Sequence, residues 1–250
     1  RFHEEAVPEN YGTLTAYDAY SRTYHVEGNR YVTVIGNDGA TYIDEEGNLC
    51  PVDNRLTENP ASTFSTLGGM PSYVNGANDY TVLFPENLSA KGGTAEDGAA
   101  TENGITIFQG DHMLTLYPAE GKFSSGIARD NAIRYSNVFP EIDYQYTVLG
   151  NSVKEDIILL ERTEKDSFSY LLDAYGLEAT LLNNTLYLHE PGTDPEAEAV
   201  FVLEAPEMED AAGEISFGVR MELTQGSDGY LVTVRPDRTW LEAPVRVYPV

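Results

Sequence analysis

Residues 131–161, NAIRYSNVFPEIDYQYTVLGNSVKEDIILLE, constrain the fold more than any other stretch of the chain. Ile142, Tyr144, Tyr146 and Val148 fall on one face of an extended strand, and Asp143, Gln145, Thr147 and Leu149 fall on the other. That period of two is the pattern of a strand with one face buried and one face, here the Asp143 face, towards solvent. Gly150, Asn151 and Ser152 supply turn chemistry, since Gly and Asn tolerate positive φ. The run from Val153 to Leu160 then returns as a second strand that becomes apolar on both faces towards its end. Burying each large apolar side chain is worth roughly 1.5–3 kcal/mol, and a one-residue slip would turn the whole set towards water. The stretch is a hairpin of firm register, and a hairpin names no activity.

The rest of the chain repeats this grammar. RTYHV, RYVTVIG, ATYID and LCPVD are separated by the turn groups EGN, NDG and EEGN, which predicts a four-stranded antiparallel meander over 22–53. Residues 1–21 read as irregular with one helical turn, from the spacing of Leu14, Tyr17, Tyr20 and Tyr24. Residues 57–79, with Pro60, Gly68, Gly69, Pro71 and Gly76, read as a long loop. Strands follow from Tyr80 to Phe84, at 105–108 and 113–117, in FSYLL, in ATLL and TLYLH joined by Asn183 and Asn184, and in AVFVL. Ile215, Phe217, Val219, Met221 and Leu223 alternate with polar residues and predict a second well-specified hairpin with Tyr230, Val232 and Val234. No 3.6-residue apolar period persists for three turns, so the fold class is all-β, an antiparallel β-sandwich with little helix. Trp240 is placed as a plug at one end of the sandwich. Residues 89–104, SAKGGTAEDGAATENG, read as a linker or insertion between a meander lobe at 1–88 and a main sandwich lobe at 105–250, unless the two lobes form one continuous domain.

Forty-one acidic against 15 basic residues give a formal net charge of −26. Such a balance argues against nucleic acid, whose phosphates are bound through Lys and Arg, and against an anionic membrane surface. No apolar run reaches the ~18–20 residues of a membrane span. Cys50 is the only cysteine, which excludes an intrachain disulfide, and it reads as a buried structural thiol. His3, His25, His112 and His189 are scattered without the spacing of a metal site and read as surface or rim residues. Asn37, Asp38, Asp44, Glu45 and Glu46 gather around one meander, where solvated hairpin turns are favoured over a shared calcium ion. Glu141 and Asp143 are the nearest thing to a carboxylate pair, and nothing around them predicts a raised pKa. Tyr73, Tyr80 and Tyr117 could stack against a sugar but read better as core-edge strand residues. No catalytic residue, cofactor site or metal site is assigned.

ATYIDEEGNLCPVDNRL resembles a hairpin near the start of secreted bacterial RHS/YD-repeat wall-associated proteins and their DNRLRE-domain relatives. The segments YVNGANDYTVLFP, NAIRYSNVFPEIDYQYTVLGNSVKEDIIL, LEAPEMEDAAGEIS and TWLEAPVRVYPV follow in the order of that family, over residues 22–250. Leu49 and Cys50 depart from the pattern, standing where a Trp is usual. The resemblance implies an extracellular β module on a bacterial surface, ahead of repeat or cargo domains of the same polypeptide, with Arg1 following a removed leader or an upstream segment. It defines no catalytic residue. The expected function is a non-catalytic structural or adhesion module, not an enzyme. The alternatives are a carbohydrate-binding module recognising cell-surface glycan and a glycoside-processing enzyme.

Overall fold

A computed structural model describes residues 12–248 except 19–20, 36–39, 60–71, 92, 95–99, 102, 228 and 244–245. Its elements begin with β1 (Thr13–Asp18), β2 (Ser21–Glu27), β3 (Arg30–Ile35), β4 (Thr41–Ile43), β5 (Leu49–Pro51) and β6 (Asp53–Asn59). Next are β7 (Ser72–Ala77), β8 (Tyr80–Pro85), β9 (Asn87–Leu88), β10 (Gly93–Thr94) and β11 (Ala100–Thr101). The middle of the chain holds β12 (Ile105–Gln109), β13 (His112–Pro118), β14 (Ser124–Arg129), β15 (Ala132–Phe139), β16 (Ile142–Val148) and β17 (Val153–Leu159). The last part runs β18 (Phe168–Asp173), β19 (Glu178–Leu182), β20 (Thr185–His189) and β21 (Ala199–Leu203). It ends with β22 (Met208–Glu209), β23 (Ile215–Ser216), β24 (Val219–Gly226), β25 (Gly229–Pro236) and the short helix α1 (Arg238–Leu241).

An eight-stranded sheet of order β24-β25-β18-β13-β12-β8-β7-β6 faces a five-stranded sheet of order β17-β16-β15-β14-β9. The described ladders are antiparallel, including β16 with β17 from Ile142 opposite Leu159 to Val148 opposite Val153. Alternation decides what fills the space between the sheets. Tyr80, Val82 and Phe84 of β8 and Phe168, Tyr170 and Leu172 of β18 meet Ile142, Tyr144, Tyr146 and Val148 of β16 in one core. Phe84 lies 5.8 Å from Tyr146 and Tyr170 6.0 Å from Tyr144, ring centre to ring centre. A third sheet, β19-β20-β21, adds Leu186 and Leu188 to the same core. The all-β antiparallel sandwich expected from the sequence is therefore what the chain adopts. Strands from both sides of 89–104 lie in the eight-stranded sheet, since β8 pairs with β12.

Several local expectations need correction. Thr13–Asp18 is a strand, so Leu14 and Tyr17 are not on a helical turn, and Tyr20 lies outside the described residues. The meander divides into a three-stranded sheet β1-β2-β3 and a separate ladder β4-β5. Its NDG turn is outside the described residues. The 57–79 loop is shorter than expected because β6 runs to Asn59 and β7 starts at Ser72. Ile215 and Phe217 do not continue β24 inward: Ile215 pairs with Glu209, and Phe217 is 77% exposed. Trp240 sits half-exposed on α1 with the Arg246 guanidinium 4.2 Å over its ring, so it packs on the C-terminal segment.

The largest departure concerns β16 itself. Asp143, Gln145 and Thr147 are as buried as the aromatic face, so the strand has no solvent side. Longer neighbours cover these short polar residues: Arg134 lies opposite Gln145, and Ile158 lies opposite Asp143. Arg134 closes on Asp143 at 2.7 Å, and the Asn137 amide donates to the other carboxylate oxygen. The turn after β16 also differs from expectation. Its four residues 149–152 close with Leu149 N–H donating to Ser152, and neither Gly150 nor Asn151 takes positive φ.

Candidate functional site

Cross-strand pairing places one carboxyl where the alternation would put a hydrophobe. Glu155 of β17 stands directly opposite Tyr146 of β16, on the face that points between the sheets. The Tyr146 hydroxyl donates to Glu155 Oε1. Tyr135 packs edge-on against Tyr146, and Tyr170 from the facing sheet closes the cluster over Tyr144. β17 is the edge strand, so Glu155 as a residue is exposed while the end of its side chain lies against tyrosines.

The electrostatics follow from that placement. Burial pushes the Glu155 carboxyl up to about 7; hydroxyl donation from Tyr146 and Tyr170 opposes the rise, and the neighbouring Asp156 charge adds to it. Burial likewise drives the phenols of Tyr135, Tyr144, Tyr146 and Tyr170 upward, so none of them ionises near neutrality. Glu155 is thus a group that exchanges a proton near neutral pH inside a set of hydroxyls that do not. Its sequence context, VKEDII, carries no sign of this. The signal was in the pairing: a strict register puts Glu155 beside Tyr146, and that register was legible in the hairpin.

The residues singled out from sequence are spread over the molecule. Tyr80 and Tyr117 are buried, and Tyr73 packs against the core, so they form no exposed sugar platform. The Tyr80 hydroxyl sits 2.7 Å from the Leu149 carbonyl and 2.8 Å from that of Ser152, and clamps the 149–152 turn. Glu141 is an exposed turn residue at φ 57° while Asp143 is buried with Arg134, so the two carboxylates do not share a cleft. His189 is buried, not at the surface, and bonds Thr180 Oγ1 at 2.9 Å; His112 lies 3.6 Å from Glu190. His25 bonds the Gly28 carbonyl, and His3 is outside the described residues. Cys50 is half-buried, with its thiol 3.4 Å from Asp44 Oδ2. Burial and that carboxylate both raise the thiol pKa, which opposes a nucleophilic role. Asp44 accepts from the Asn48 amide, the Asn48 side chain and the Glu46 amide, which pull its pKa down. Asn37 and Asp38 lie outside the described residues. Among the described residues no group of three His, Cys, Asp or Glu converges as a metal site. No helix among them is long and apolar enough to cross a membrane.

No family model matches the chain, and no solved structure matches it. Three curated proteins do. The chain is 30% identical over 174 residues to a protein of Bacillus subtilis strain 168 named tRNA nuclease WapA. It is 32% identical to the tRNA(Glu)-specific nuclease WapA of Bacillus subtilis subsp. natto, and 31% identical to the tRNA3(Ser)-specific nuclease WapA of Bacillus spizizenii. Each match covers 60% of this chain and 7% of the relative.

These names correct the resemblance drawn from motif order, because they are names of tRNA nucleases and not of RHS/YD-repeat or DNRLRE wall proteins. They also overturn the non-catalytic structural or adhesion reading, the exclusion of an enzyme and the exclusion of nucleic acid as a partner. The carbohydrate-binding and glycoside-processing alternatives gain nothing from them. The physical reason is one of scope. A charge of −26 describes this chain, and it does not bound what relatives act on when the match covers 7% of their length.

Proposed function

We propose that this chain is a segment of a polypeptide that cleaves tRNA. The observation that supports the reading is the 30–32% identity to three proteins named as tRNA nucleases. Nothing in the chain's own charge favours phosphate contact, with 15 basic residues against 41 acidic ones. The reading therefore assigns the contacts to the tRNA backbone to the rest of the polypeptide, the 7% share of the relatives leaving ample chain for them. An extracellular location belongs to the same proposal; the absence of any possible intrachain disulfide neither requires nor opposes it.

The test is cleavage by the polypeptide that carries this chain, incubated with total tRNA and read as discrete fragments on a denaturing gel. Fragments from one or a few tRNA species are expected. Intact tRNA across all species, with a known tRNA nuclease active in the same buffer, overturns the proposal.

A further inference from the structure

The inner face of β16 is aromatic and aliphatic, and at the β17 rim beside it Glu155 turns a carboxyl inward. The groups facing it come from two elements. β16 presents Tyr146, bonded to Glu155 Oε1, and Tyr144; β18 presents the Tyr170 hydroxyl, which also favours the anion. Asp156 follows on β17, on the opposite face, and Glu120 adds negative charge near Tyr144. Lys154 is held elsewhere, 3.4 Å from Asp156. The partners of this carboxyl are hydroxyls and its charged neighbours are anionic.

We propose that Glu155 is a proton-operated latch on the edge strand β17. Protonated, the carboxyl stays between the sheets and accepts from Tyr146. Ionised, it is an anion that meets phenol hydroxyls and the negative charge of Asp156 rather than a counter-ion, and such a charge is expensive to keep out of water. Water is one side-chain rotation away, because Glu155 is exposed at the sheet edge. Loss of the proton to solvent therefore draws the carboxylate outward and leaves the Tyr146 hydroxyl without its acceptor. A buried donor left unpaired is itself costly, which favours water entry along the β16–β17 seam. The acidic state is the closed one and the neutral-to-alkaline state the loosened one.

Two measurements on the folded chain decide it. Carboxyl carbon NMR of Glu155 should titrate near the value of about 7 set by its burial, and Tyr146→Phe, which removes a hydroxyl that favours the anion, should move the midpoint upward. Amide exchange over Val153–Leu159, corrected for the intrinsic rate, should rise at least tenfold from pH 5 to pH 8 in the wild type while the β15 amides stay unchanged. Glu155→Gln should abolish that rise. A Glu155 midpoint in the ordinary carboxylate range overturns the proposal, and so does β17 exchange with the same pH response in the wild type and in Glu155→Gln. Should Glu155→Gln fail to fold, the wild-type titration and exchange profile stand as the test.

Discussion

Asp143 shows what a single side chain can cost when its cover is removed. It is 5% exposed at its side chain, paired with Arg134 and bonded by the Asn137 amide, so truncating Arg134 strands a buried carboxylate. Arg134→Ala should destabilise the chain by about 3–5 kcal/mol in urea unfolding, the range for breaking one partner of a buried pair. Replacing both partners by apolar residues of like volume should cost much less. Asp210 acts at the other end of the chain and through pH. Its pKa is held down chiefly by the Glu214 amide, with help from the amides of Ala212 and Val247 and from Arg246. A lowered folded-state pKa contributes stability above the unfolded value, and that stability disappears as pH falls through the folded one. Asp210→Asn should therefore melt lower than the wild type at pH 7, with the gap closing in acid below the ordinary aspartate range. Neither residue was legible as important in the sequence. A period of two reports which face a residue takes, and it is blind to whether long side chains from the next strands close over that face.

Elements were more legible than residues, because hairpins are local. The pairs β12–β13, β16–β17, β19–β20 and β24–β25 all follow from alternation plus a turn, and Asn183 and Asn184 take the positive φ of 50° and 69° that a two-residue turn demands. How hairpins dock was not legible, since docking rests on contacts far apart in sequence. Asn184 illustrates it: its side chain donates to the Val219 carbonyl and accepts from the Met221 amide, tying the three-stranded sheet to the β24 edge. Asn184→Gly keeps the turn but removes both bonds, and it should loosen β24 amide protection while costing about 1–3 kcal/mol. Tyr80→Phe keeps the ring and removes the clamp on the 149–152 turn. A loss of about 0.5–1.5 kcal/mol is expected, with faster exchange confined to that turn. Ile215 and Phe217 mark the limit of pattern reading, because their alternation is perfect on paper while the chain leaves the large sheet before Val219 and exposes both.

At the scale of the molecule, charge and packing pull in opposite directions. A surface of −26 repels itself, and the repulsion is screened as the Debye length shrinks from about 30 Å at 0.01 M salt to about 3 Å at 1 M. Melting temperature should climb with NaCl over that range, by about 2–4 °C for each kcal/mol of repulsion removed. A melting point that falls or stays level would show that local ion pairs outweigh the net charge. Burial of β16 on both faces has its own consequence for how the chain finds this arrangement. In a half-solvated strand, misalignment is punished by wetting hydrophobes. Here a shift of one position would drive the Asp143 carboxylate in among aromatic rings and strip it of its guanidinium, so misaligned assemblies are rejected by a stranded charge rather than by lost oil.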